Sequence, residues 1–331
     1  MTPGGARQLR VRLRLAAVGG ALVVALSGCS RSAGPGAAAA RSTYALMQMN
    51  LCLSGLAGCY GKVAYPAGVE EAVDRIREAH PDAVTLNEAC RGDVARIARR
   101  TGYHVRFSTV IYRGERLRCI HPGGRGEFGD AVLTEAAIES SQSHAFKTQA
   151  GIERRRWLCV STRAGIDVCT AHLNARTPVE VAGNDAQCVE LATLLARRAA
   201  ERTVIFGGDV NRRDSCAPNG LWTRTDGSAA QSRGLQQVYG SRALSSASAE
   251  VLPARHTDHD VLLVRANSPP GVSADEPPGG LAERGSTAVK RGKPTRGWTL
   301  GHQKIRRSNW EGDVQMKVSP SGCPRCLTPP G

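Results

Sequence analysis

Aromatic residues are scarce in this 331-residue chain, which has four Trp, four Phe and six Tyr, 4% in all. That leaves no aromatic-rich hairpin of the kind that inserts into a bilayer. The N-terminal apolar run from Leu15 to Leu26 is shorter than the roughly 20 residues a spanning helix needs. No internal repeat is visible. Within residues 43–266 there is no CxxC pair and no Cys/His cluster, which speaks against a structural zinc site. Acidic side chains are also few, 29 against 44 basic ones. What is present is an apolar fraction of 41%, enough for a sizeable core in one or two domains and incompatible with a fully disordered or collagen-like chain.

The formal charge of +15 is unevenly spread. Residues 1–28 carry four arginines and no acid, and residues 267–331 carry ten basic and five acidic side chains. The body between them is only mildly basic, a weak argument by itself for a polyanionic partner.

Arg7, Arg10, Arg12 and Arg14 precede the short apolar run, the order of a signal peptide. The run closes in Leu26-Ser27-Gly28-Cys29, which resembles the lipobox of bacterial lipoproteins. This implies a signal peptide over 1–28, a lipidated Cys29 at the start of the mature chain, and attachment to the outer face of the bacterial cell membrane. The alternative is an ordinary secretory peptide and a freely secreted protein. Residues 29–42 are small and unpatterned, as a flexible tether is. Export places eight further cysteines (Cys52, Cys59, Cys90, Cys119, Cys159, Cys169, Cys188, Cys216) in an oxidising compartment, so up to four disulfides are expected. Two local pairings are plausible: Cys52 with Cys59 across a Gly-containing loop, and Cys159 with Cys169 about the turn at Ala164 and Gly165.

From Tyr44 onward short apolar strands alternate with amphipathic helices. Strands are expected at Tyr44–Leu51, Ala83–Leu86, Val105–Val110, Ala131–Thr134, Trp157–Thr162, Asp167–Leu173, Thr203–Phe206 and Val261–Val264. Helical spacing joins Val69, Ala72, Val73, Ile76 and Ala79 before Pro81, and joins Val94, Ile97 and Ala98 before Gly102. A longer helix through Val189, Ala192, Leu195 and Ala199 has Asn184 as its expected cap. Residues 267–331 are rich in Pro, Gly and basic side chains without a sustained period, so they read as a disordered tail. The tail's Cys323-Pro324-Arg325-Cys326 is a single CxxC with no partner.

Polar residues gather where the strands end. Asn50 follows Ala45-Leu46-Met47-Gln48-Met49, Glu88 follows Val84-Thr85-Leu86-Asn87, and His172 lies in Cys169-Thr170-Ala171-His172-Leu173-Asn174. Asp209 and Asn211 follow Val204-Ile205-Phe206-Gly207-Gly208, and Asp258 and His259 precede Asp260-Val261-Leu262. A strand-terminal Asp is commonly a turn residue and a lone His commonly structural. Gathered at one end of a sheet, these groups could hold a hard divalent cation beside two proton-transfer residues.

The order MNLC, LNEAC, TAHLNA, FGGDVNRR and TDHD resembles the endonuclease/exonuclease/phosphatase superfamily, with its DNase I-like fold, over residues 43–266. The resemblance implies an α+β, four-layer α/β/β/α sandwich of two mostly antiparallel sheets. It further implies a monomeric phosphoric ester hydrolase using Mg²⁺ or Mn²⁺. Carried over motif by motif, Glu88 is the principal metal ligand with Asn50 and Asp258 near it. Asp209 and Asn211 orient water and phosphate, and His172 and His259 meet the scissile phosphate. Such groups are needed because hydrolysis builds negative charge on the phosphate oxygens. Arg154 and Arg155 stand where the family often has a phosphate-contacting arginine.

Two departures accompany the resemblance. Glu127 is the expected carboxylate partner of His172, but the alignment there is loose. Leu235-Gln236-Gln237-Val238 puts Gln236 where the family usually has the Asp that steadies the second histidine, so an amide would accept from His259 without supplying charge. A PAWCDR-type segment is absent, which argues against inositol polyphosphates. DNA or RNA is the favoured substrate. A phospholipid such as sphingomyelin, and a non-catalytic binding protein retaining the fold, are the alternatives.

Overall fold

The computed structural model describes residues 43–268. The expected signal peptide, Cys29, the expected tether and the residues beyond Ser268, with their CxxC, lie outside the described residues. In chain order the elements are β1 (Thr43–Asn50), α1 (Tyr60–Val63), α2 (Ala67–Ala79), β2 (Ala83–Cys90), α3 (Arg91–Thr101), β3 (His104–Thr109), β4 (Ile111–Tyr112), β5 (Glu115–Arg116) and β6 (Phe128–Thr134). They continue with β7 (Ile138–Ala145), β8 (Glu153–Arg154), β9 (Arg156–Thr162), β10 (Ile166–Ala171), α4 (Val181–Glu201), β11 (Thr203–Asp209), β12 (Leu221–Thr225), β13 (Gln236–Ser241), β14 (Ser245–Leu252) and β15 (Val261–Asn267).

Two six-stranded sheets result, ordered β14-β15-β1-β2-β6-β3 and β12-β13-β11-β10-β9-β7, with a small sheet β5-β4-β8 beside them. Each large sheet has one parallel pair, β1 with β2 and β10 with β11, and every other pairing is antiparallel. A parallel pair needs a crossover; α2 lies between β1 and β2 in the chain, and α4 between β10 and β11.

Alternation along β1 builds the layers. Ala45, Met47 and Met49 join Val69, Val73 and Ile76 of α2 and Val94 and Ile97 of α3 in an outer core. Tyr44 and Leu46 join Leu158, Val160, Val168, Ile205, Leu262 and Val264 in the core between the sheets. Leu191, Leu194 and Leu195 of α4 pack with Phe206 and Tyr239 in the third. This is the expected four-layer sandwich. Gly207 permits the close approach of the two sheets and Gly208 that of neighbouring strands: a Cβ at Gly207 would stand 2.4 Å from Thr85 Oγ1 on β2, and one at Gly208 2.3 Å from the Ala171 carbonyl on β10.

Gly102 ends α3 as expected, at φ 83° with its N–H on the Ala98 carbonyl at 2.8 Å. Asn184 does not cap α4. It lies inside the helix, which begins at Val181, and its amide donates to the carbonyls of Asn174 (2.6 Å) and Val210 (2.9 Å). It thereby ties the loops after β10 and β11 to the helix. All eight body cysteines are paired: Cys52–Cys59, Cys90–Cys119, Cys159–Cys169 and Cys188–Cys216. Both locally expected bridges are among them. No described helix is long and apolar enough to cross a membrane.

Candidate active site

On the inner side of β1 the apolar Tyr44 and Leu46 give way to buried Gln48 and Asn50. The same change in β2, β6, β10, β11 and β13 leaves Thr85, Asn87, Asp130, Thr170, Asp209 and Gln236 buried. Buried polar groups must be hydrogen-bonded to be tolerated, and these form a network. Thr85 Oγ1 donates to Gln48 Oε1 (2.6 Å), and Gln48 Nε2 donates to Asn87 Oδ1 (2.8 Å). Asn87 Oδ1 also accepts the Asp209 N–H at 2.8 Å, while its Nδ2 donates to Asp130 Oδ1 at 2.9 Å. The network links both sheets and fixes the backbone at Asp209.

Asp209 is the hub of the site. Its Oδ1 accepts the Asn211 N–H at 2.9 Å, a turn that Asn tolerates at its φ of 52°. Its Oδ2 accepts from Asn50 Nδ2 at 3.1 Å and lies 3.8 Å from His172 Nε2 and 3.6 Å from His259 Nε2. Asn211 Nδ2 donates to the Leu173 carbonyl (3.0 Å) and to His172 Nε2 (2.9 Å). Accepting that bond leaves the His172 proton on Nδ1, which lies 3.9 Å from Glu88 Oε1. Burial, then the charges of Arg155 and His259, hold the His172 pKa well below its ordinary value, so the ring is neutral.

Glu88 sits at φ 53° where the β2–β6 register shifts. Such an irregularity re-aims a side chain. Its backbone carbonyl accepts the Leu53 N–H at 2.8 Å, which holds the Cys52–Cys59 loop against it. Burial pushes its carboxyl up to about 7, against the lowering effects of the Asn50 hydrogen bond and the Arg155 and His259 charges. Asp130 is likewise pushed up by burial, to about 7. Asp258 is at the rim, its Oδ1 3.9 Å from His259 Nε2.

The carboxylates of Glu88, Asp209 and Asp258 are hard oxygen donors suited to Mg²⁺ or Mn²⁺. Half-buried Glu88, whose anion its surroundings disfavour, fits a metal ligand. Cys52, Cys59 and Glu88 also lie within 4.8 Å of one another, but the sulfurs are bonded to each other and are not thiolate ligands.

Two expectations, for Glu127 and Gln236, require correction, and two are made more specific. Asn50 is near the site, but its amide nitrogen bridges Glu88 Oε1 (3.0 Å) and Asp209 Oδ2 while its Oδ1 accepts the Cys52 N–H (3.2 Å). Its oxygen is thus turned to the backbone. Glu127 does not meet His172. Both its oxygens are taken, by Arg91, Thr109 and Arg116 at 2.8 to 3.0 Å, and the Thr109 bond and these arginines lower its carboxyl to about 2. Arg154 is exposed on β8, whereas Arg155 is buried, its guanidinium 2.8 Å from Glu153 and its Nε unpartnered. Gln236 does not bond His259. Its Nε2 donates to the Asp260 carbonyl and its Oε1 accepts from Gln48 at 3.4 Å. Asp130, Asn87 and Gln48 went unread in the sequence; their signal was a polar residue on the inward-facing side of an otherwise apolar strand.

The model of the Endonuclease/Exonuclease/phosphatase family matches residues 57–259. The chain belongs to that family. Solved structures agree in fold. An endonuclease/exonuclease/phosphatase from Beutenbergia cavernae matches with a TM-score of 0.54 at 16% identity, over 69% of this chain and 72% of its own. The human Nocturnin catalytic domain with bound sulfate anion gives 0.52 at 17%, over 69% and 94%. Truncated Caenorhabditis elegans TDP2 gives 0.51 at 16%, over 68% and 98%. No curated protein matches the chain in sequence.

Proposed function

We propose that this hydrolase is an exported, membrane-tethered, divalent-metal-dependent phosphodiesterase that cleaves DNA or RNA. The observation that carries the reading is the convergence of His172, Asn211 and His259 on the Asp209 carboxylate, with Glu88 against the other ring nitrogen of His172, at one end of the sandwich. Glu88, with Asp209 and Asp258, would hold Mg²⁺ or Mn²⁺; when bound, the ion supplies positive charge against the phosphate oxygens. Asp209 and Asn211 place the attacking water and the phosphate. Buried Arg155 adds a fixed cation, His172 offers its Nδ1–H, and His259 serves the leaving oxygen. Exposed Arg154, next to Arg155 in the chain, favours a polyanion. Four disulfides favour an oxidising compartment, and the Leu26-Ser27-Gly28-Cys29 sequence favours a lipid anchor at Cys29.

The test is incubation of the purified mature protein with plasmid DNA, RNA, sphingomyelin and bis-p-nitrophenyl phosphate, with and without Mg²⁺. Metal-dependent cleavage of a nucleic acid is expected. Turnover of sphingomyelin alone moves the assignment to phospholipid, and no turnover of any substrate leaves a binding protein. For the tether, wild type should fractionate with membranes and Cys29→Ser should not; freely secreted wild type cut elsewhere contradicts the anchor.

A further inference from the structure

A groove between α4 and the β7 edge of the second sheet lies at the level of the catalytic residues. His172 bridges to Asp209, the Ala171 before it pairs with Trp157, and Trp157 pairs with His144. At about 4.8 Å per strand, His144 stands roughly 10 Å across the sheet from β10. The groove has a volume of about 600 Å³, and His144, Lys147, Trp157, Val189 and Arg197 line it. The segment after β7 ties it to the site. Gln149 Oε1 accepts the Arg155 N–H at 2.7 Å, and Gln149 Nε2 donates to the Arg155 carbonyl at 2.8 Å. The next carbonyl, of Ala150, accepts from Asn174 Nδ2 at 2.9 Å, and Asn174 is two residues past His172.

The lining points to one kind of ligand. His144 is exposed, and its ring lies 5.1 Å from that of Trp157, so a flat ring at the surface has a second behind it. Trp157 is only 7% exposed, yet among the described residues its indole N–H has no acceptor, and the atom is open to solvent. A buried tryptophan N–H usually has a partner. Exposed Lys147 and Arg197 form no ion pair among the described residues. The acid beside them, Glu190, already accepts the Lys147 backbone N–H at 2.8 Å. Unpaired cations next to a stacking ring are the combination that holds a single nucleic-acid strand, phosphates on the cations and a base on the ring.

We propose that this groove is a subsite for single-stranded nucleic acid, in which Lys147 and Arg197 take backbone phosphates, His144 stacks a base and the Trp157 N–H bonds that base's edge. The proposal deepens the DNA or RNA reading and rests on it. Stacking and phosphate contacts of this kind tolerate any sequence, so the groove would hold a strand beyond its cleavage point without selecting the site of cleavage.

The test uses the mature protein in EDTA, which withholds the metal, and a fluorescein-labelled oligothymidylate of about twelve nucleotides, within the usual span of such sites. Lys147→Gln combined with Arg197→Gln should weaken binding at least about tenfold and flatten the salt dependence by about 1.4, at roughly 0.7 per phosphate contact on a single strand. His144→Ala should weaken binding at least about fivefold, the low end for a lost stacking platform. With Mg²⁺, all these variants should hydrolyse bis-p-nitrophenyl phosphate at the wild-type rate, since none of the three residues belongs to the catalytic groups. In wild type, ultraviolet cross-linking to iodouracil placed along the oligonucleotide should label His144 or Trp157, read by peptide mass spectrometry; this arm decides should a variant fail to fold. Unchanged binding in the variants, or cross-links confined to other residues, overturns the proposal, and the nuclease reading then stands if wild type still cleaves the oligonucleotide. Variants that lose binding to phosphatidylglycerol vesicles but not to the oligonucleotide assign the groove to a membrane surface and also overturn it. A wild type that neither binds the oligonucleotide nor cleaves it with Mg²⁺ overturns both readings.

Discussion

Asn211 donates its side-chain N–H to Nε2 of His172 at 2.9 Å, and this bond selects the imidazole tautomer at the centre of the site. The GDVN sequence therefore does more than turn the chain: Asp209 holds the Asn211 backbone, and Asn211 holds the ring. Asn211→Ala should lower kcat about 10- to 100-fold, the scale of a misplaced acid–base or charge-stabilising group. Its melting temperature should fall by a few degrees, because Ala is disfavoured at the φ of 52° and the bond to the Leu173 carbonyl is lost. Steady-state kinetics with a thermal melt checks both.

The two candidate arginines should separate. Arg155→Ala removes a buried cation whose charge acts on Glu88 and His172, and should reduce kcat/KM on a small diester at least about tenfold. Arg154→Ala removes an exposed charge on β8. It should leave the small diester within about threefold and reduce the salt dependence of binding to a long nucleic acid. Equal effects on both substrates would contradict the division.

Stability of the metal-free protein should depend on pH through Glu88. Its pKa is raised from 4.5 in the unfolded chain to about 7 in the fold, so between those values the folded state binds more protons. The Glu88 contribution is therefore fully present below about pH 4.5 and is lost as pH rises through about 7. Asp130, also raised to about 7, acts in the same direction, and neutral His172 acts oppositely as pH falls below its ordinary 6.5. The melting temperature of Glu88→Gln minus that of wild type should thus increase from pH 5 to pH 8. Saturating Mg²⁺ should reverse the trend by stabilising wild type. A difference independent of pH contradicts the assignment.

Thiol labelling of the folded, unreduced protein should find none of the eight body cysteines reactive, since all are paired. Replacing Cys52 and Cys59 by Ser should cost about 2–4 kcal/mol, the usual range for a native disulfide. It should also weaken Mg²⁺ binding, because this loop packs on Glu88. Replacing Cys159 and Cys169, which join adjacent strands away from Glu88 in the chain, should cost stability without that loss.

The strands bearing Asn50, Glu88, His172, Asp209 and His259 were legible because each joins an apolar run to a polar end. The sequence cannot state which side of a strand a residue takes once the register is unknown. Glu127, just before β6, points to Arg91 and Arg116, while Asp130, three residues on, reaches Asn87. The same ambiguity left Arg154 and Arg155 unresolved. The Ser/Ala-rich β14 and the polar β7 lack an apolar alternation, and their pairing is supplied by neighbouring strands. The Cys90–Cys119 and Cys188–Cys216 bridges join segments 29 and 28 residues apart, beyond the reach of local turn reasoning. Gln236 pairs with Asp209 across β11 and β13, but its side chain serves Asp260 and not the expected His259.

The most direct measurement is the Mg²⁺-dependent rate of phosphodiester hydrolysis by Glu88→Ala, His172→Ala and Asp209→Ala beside wild type, with circular dichroism to confirm folding. The account predicts at least about a 100-fold loss in each, the scale for removing a charge-stabilising or proton-transfer group. Three folded variants with near-wild-type rates would contradict it.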